Sequence, residues 1–134
     1  MRQTQFKRVV ILSAELSTLG HLENTKRTAN LEQCIKDIGL VPHWALGVCN
    51  RNVETSYVVI CKDDVEVMSL INLATKQFKQ EMVLVRNTAG EAFLVDEHKE
   101  YTSIGELAPT PKVLALNEGS YTLFNDVYYT TKVA

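Results

Sequence analysis

The stretch "VETSYVVICKDD", Val53 to Asp64, decides the fold. Its centre is solidly apolar, which implies a strand buried on both faces. Its end is a helix start: Asp63 is placed to cap, and Glu66 three residues on completes a variant of the capping box. A buried strand therefore runs directly into a helix. Glu54, at the open end, does not fit an apolar strand. It is either the solvated end of a strand or a negative charge set where something positive binds.

Outward from this stretch the elements alternate. "RVVILS" within Lys7–Ser13 is another unbroken apolar strand, and the polar "ELSTLGHLENTKR" after it reads as a loop leading into a helix. Leu31, Cys34, Ile35 and Ile38 recur at i, i+3, i+4 and i+7, one helical stripe, with Gly39 at the expected stop. A strand from His43 to Val48 passes through the turn-like "CNRN" into the strand from Val53. Val67, Leu70, Ile71, Ala74 and Phe78 form a second helical stripe, before strands at "MVLV" (Met82–Val85) and "AFLV" (Ala92–Val95).

The order βαββαβ predicts an α+β, ferredoxin-like sandwich occupying one domain, residues 1–134. Strands one and three would be central. The two helices would cover one sheet face, and a further copy of the chain is the economical cover for the other, so an oligomer is expected. Beyond Val95, "DEHKEYTSIGELAPTPK" reads as loop, while "VLAL" and "SYTLFNDVYYTTKV" read as extra C-terminal strands, the latter with an Asn-Asp turn.

Composition narrows the function classes. A net charge of −2 argues against nucleic-acid binding, which is driven by Lys and Arg. No apolar run reaches the length of a membrane span, and the run before Glu15 is short for a signal peptide. Cys34, Cys49 and Cys61 show no C-x-x-C spacing, and His21, His43 and His98 are scattered, so neither a metal site nor a cofactor is expected. Small buried thiols in a reducing cytoplasm fit this pattern.

One set of residues resembles a known family. Cys61-Lys62-Asp63, Leu73-Ala74, the aromatic at Phe78, Gln80 and Val83-Leu84-Val85 keep the spacing of the bacteriophage S-adenosylmethionine lyases, formerly called hydrolases. Ser13-Ala14 with Ser17, and Glu54 seven residues before Cys61, are similar to that family too. The resemblance implies a trimer like the PII signalling proteins, with substrate held between subunits. It also implies cleavage of S-adenosylmethionine to methylthioadenosine and homoserine lactone, depleting the methyl donor of an infected bacterial host and so opposing restriction.

That chemistry needs conformation rather than a metal or a nucleophile triad. The substrate's carboxylate attacks its own γ-carbon, and the protein must hold the two in near-attack geometry. The reacting end carries an ammonium and a sulfonium, so Glu54 is the candidate catalytic residue, pairing with the one or shaping the field around the other. Ser13, Ala14, His43, Gly47, Ser56 and Tyr57 are the candidate substrate-binding residues. Ser56 shares Glu54's face by period two and Tyr57 points to the opposite one. Ser13 and Ala14 are equally well read as a strand ending in small residues, and Gly47 as a β-bulge. His43 and Trp44 read as a donor and a cation–π face, or as plain packing at a strand start. Asp63-Asp64 is adequately a helix cap. The family pattern implies a tyrosine soon after Gly47, where this chain has Val48 and Cys49. That passes the phenol's role to Tyr57 or His43. An adenine-nucleotide sensor without turnover is the alternative function, and a protein-binding relative without activity a third.

Overall fold

The computed structural model describes residues 6–132. In chain order its elements are β1 (Arg8–Ser13), α1 (His21–Asp37), β2 (His43–Cys49), β3 (Asn52–Cys61) and α2 (Asp64–Asn72), which runs on into a π-helical turn (Leu73–Gln77). Then follow β4 (Met82–Arg86), β5 (Glu91–Asp96), β6 (Tyr101–Thr110), α3 (Lys112–Glu118), β7 (Tyr121–Phe124) and β8 (Val127–Lys132). The strands close into an antiparallel barrel in the order β1-β3-β2-β7-β8-β6-β5-β4.

This corrects the ferredoxin-like sandwich. The first four strands lie as β4-β1-β3-β2, but as one arc of a closed wall, not as an open sheet. The C-terminal part closes it: β6 pairs with β5 and β8, and β7 joins β8 to β2. The residues responsible conceal their structure. β6 contains Gly105 and Pro109, which punctuate a sequence as loop, yet Pro109 sits opposite Tyr129 in the β6–β8 ladder. "VLAL", expected as a strand, lies in α3, bounded by Pro111 and by Gly119, whose φ of +81° is the left-handed stop. The Asn-Asp turn is present: Asn125 and Asp126 have φ of 50° and 63°, and Asn50 and Arg51 of 49° and 66°, the mirror-type turns that match the twist of paired strands.

The two faces of the wall differ. Outside, Leu31 and Ile35 of α1 and Val67, Leu70, Ile71 and Ala74 of α2 and its π-turn pack on Val10, Leu12, Val59, Cys61, Val83, Val85 and Val95. The alternate residues Val9, Ala45 and Val58, joined by Ile11 and Phe124, form a second cluster. Helices do not fit inside eight strands, whose interior only side chains can fill, so this second cluster lines the interior. The face expected to need another copy of the chain is thus turned inward and covered by the chain's own strands. The argument for an oligomer from an uncovered sheet face falls with the open sheet. Among the described residues no helix is long and apolar enough to cross a membrane.

Candidate active site

At one end of the barrel the register gathers four of the expected residues. Ser13 stands opposite Ser56, Ser56 opposite Ala45, and Glu54 opposite Gly47. Directly paired residues share a face, so Ser13, Gly47, Glu54 and Ser56 all look inward. Ser13 and Ser56 are buried, and Glu54 is half-buried.

Gly47 has a steric reason to be glycine. A Cβ there would lie 2.7 Å from Ser56 Oγ and 3.6 Å from Glu54 Cγ, so both side chains rest against its bare backbone. It is a close approach and not the bulge that the sequence also allowed, because β2 and β3 pair without a register break from His43 to Cys49.

The chain leaves β1 under tight control. Ser13 Oγ donates to the Thr55 carbonyl at 2.8 Å and accepts from the Glu15 amide at 3.1 Å. The Ser13 hydroxyl is therefore engaged in turning the chain. Glu15 Oε2 in turn accepts from the Thr55 amide at 2.6 Å, a charge-assisted bond. The two carboxylates thus flank Thr55, one in β3 and one docked on it. Burial pushes the Glu54 carboxyl above its ordinary range, and the negative Glu15 pushes it further.

The remaining expected residues lie elsewhere. Ala14 is buried in the helix-side core, and its carbonyl accepts from Arg27 Nε at 2.6 Å. Tyr57 faces that same core, away from Glu54; burial raises its phenol first, and the nearby Glu32 carboxylate adds to it. His43 is on the inner face but exposed, paired with Val58 and packed edge-on to Phe124 at 6.0 Å between ring centroids. Four residues of extended chain, about 14 Å, separate it from Gly47. Trp44 is 61% exposed on the outer face, paired with Tyr57. Asp63 caps α2 by accepting from the Glu66 amide at 2.9 Å, and Asp64 pairs with Arg8 at 3.0 Å, so this acidic pair is structural.

Two residues went unnoticed in the sequence. Glu15 continues the period-two alternation of Ser13 by one step, the signal that could have found it. Tyr129 belongs to a single inner row that runs Glu54, Gly47, Thr122, Tyr129 across β3, β2, β7 and β8. It places a phenol about 10 Å of wall from Gly47, a relation no reading of neighbours in sequence reveals. That row carries no lysine or arginine, and among the described residues no group of three or more His, Cys, Asp or Glu is placed to hold a metal ion.

Glu54 and Glu15 thus concentrate negative charge at this end of the barrel. The family model of the S-adenosylmethionine lyase family matches residues 10–132, from β1 through the barrel-closing β8, and the chain belongs to that family. By family it is a lyase, with S-adenosylmethionine as the substrate. No curated protein matches the chain.

Proposed function

We propose that the protein cleaves S-adenosylmethionine to methylthioadenosine and homoserine lactone. A substrate carboxylate oxygen forms a bond to the γ-carbon as the carbon–sulfur bond breaks. The bonding pair passes to sulfur, which leaves as a neutral thioether, and no proton or water is consumed. The supporting observation is the half-buried Glu54 carboxylate beside Glu15 over bare Gly47. In this partly desolvated place a sulfonium or ammonium interacts with a carboxylate more strongly than in water. The residues paired around Glu54, namely Ser13, Gly47, Ser56 and Thr122, include no lysine or arginine to clamp the substrate carboxylate, which leaves that group free to act as the internal nucleophile.

The same reading has the protein act in the cytoplasm of an infected bacterium, where loss of the methyl donor opposes restriction. It has three copies of the chain hold the substrate between them, at the Glu54 end of each barrel. A sensor binding an adenine nucleotide without turnover would need cations for the phosphates, and none is paired around Glu54.

Incubation of the purified protein with S-adenosylmethionine, with products identified by mass spectrometry, tests the reading. Methylthioadenosine with homoserine lactone is expected. Homoserine formed before any lactone would assign attack by water, and ATP binding without turnover would assign the sensor.

A further inference from the structure

Two of the sequence anchors, Phe78 and Gln80, lie far from Glu54 along the chain and have no part in the chemistry above. The fold brings both to the segment leaving β1. At the π-turn the Phe78 amide donates to the Leu73 carbonyl at 3.2 Å and the Gln80 amide to the Ala74 carbonyl at 3.0 Å. These closures span more residues than the i→i−4 bonds of an α-helix. Lys79, with φ of 58°, then turns the chain so that Gln80 Nε2 donates to the Glu15 carbonyl at 2.9 Å.

Arg27 completes the clamp from α1. Its Nε donates to the Ala14 carbonyl at 2.6 Å, its Nη2 donates to the Phe78 carbonyl, and its guanidinium lies 5.6 Å from the Phe78 ring centroid. The Ala14 and Glu15 carbonyls lie beyond the last residue of β1, so side chains supply their donors. With the backbone pinned at two successive carbonyls, the Glu15 carboxylate is carried onto the Thr55 amide, next to Glu54.

We propose that Arg27 and Gln80 are positioning residues for the reaction: by holding the Ala14 and Glu15 carbonyls they fix the Glu15 carboxylate beside Glu54 and so set the field that a cationic substrate meets. The role in turnover rests on the reading of Glu54 as facing the substrate. The fixing of Glu15 does not. Around Glu54 the inner face presents Ser13, Ser56, Gly47 and Thr122, none of which titrates in the working range, and Glu15 is the charge that acts on it.

The test is a carbon-13 carboxylate titration of Glu54 in the full chain, its signal assigned by its loss in Glu54→Gln. The Glu54 midpoint should fall in Glu15→Gln and in Gln80→Leu, and fall no further in the double variant. Arg27→Met should act in the same direction. In Gln80→Leu, kcat for S-adenosylmethionine should drop by on the order of 10²-fold, the cost of a small misplacement, with KM changing less. If Gln80→Leu does not fold, Gln80→Asn, one methylene too short to reach, is read in the same way. A Glu54 midpoint unmoved by Glu15→Gln or by the folded Gln80 variant, or shifts that add in the double variant, would overturn the proposal. Shifted midpoints in a protein that leaves S-adenosylmethionine intact would overturn the substrate reading and leave the fixing of Glu15 standing.

Discussion

Glu54 and Gly47 face each other across the β2–β3 ladder, and the glycine's missing side chain is the space in which Ser56 Oγ sits, 2.7 Å from where a Cβ would be. Gly47→Ala should displace Ser56 and tilt Glu54, lowering kcat/KM by at least roughly tenfold. Removing the hydroxyl in Gly47→Ala/Ser56→Ala should restore most of that loss. A double variant no better than Gly47→Ala alone would show that the contact does not govern the site.

Glu54→Gln should abolish most turnover and at the same time raise the melting temperature at neutral pH. The folded-state pKa of Glu54 is raised by burial and by Glu15, so the folded protein favours the neutral carboxyl more than the unfolded chain does. Its charge therefore weakens the fold at neutral pH, and that penalty is relieved as pH falls through the raised value. Melting curves across pH check the sign: the gap between Glu54→Gln and the parent should narrow on acidification. A variant less stable than the parent at neutral pH contradicts it.

The acid limb of the activity profile should lie above the ordinary carboxylate range for the same reason, because turnover requires Glu54 charged. The profile of kcat/KM, which reports the free enzyme, is the relevant measurement. A limb at or below that range would detach the activity from Glu54.

The three thiols should react in a fixed order. Cys49 is exposed, Cys34 half-buried and Cys61 buried. The Cys61 thiol is pushed up to about 12 by burial first and then by Glu66 and Asp63, with Arg8 opposing. Since the thiolate is the reactive form, a maleimide should label Cys49 first and Cys61 only on unfolding. Peptide mapping after short exposure reads the order directly.

Asp63→Ala should cost about 1 kcal/mol of stability through the lost cap, while activity per folded molecule stays within twofold or so. Denaturant unfolding beside an activity assay separates the two. A large activity loss in well-folded protein would reassign Asp63 to the site.

The local elements were legible because their signals are local. The stripe from Val67 to Phe78, the cap at Asp63 and the turn at Asn125-Asp126 each follow from residues within a few positions. Architecture depended on β6, where Pro109 and Gly105 mask a ten-residue strand, and on pairing between strands far apart in sequence. The site divides in the same way. Period two placed Glu54 with Ser56 and Tyr57 opposite, and the ladder added Gly47 and Ser13. The links from Gln80 and Arg27 to the segment after β1 are long-range side-chain bonds, visible only once the helices are packed.

Closure of the β1-to-β8 ring has a consequence for how the protein meets its own kind. Among the described residues every strand has a neighbour on both sides, so no strand is a free edge along its whole length, open to extension by another chain. Copies that associate meet at the outside of a closed ring rather than by lengthening a shared sheet. Such contacts can be rewritten by surface substitutions without unpicking a ladder, which makes the assembly and the fold separable properties for mutagenesis.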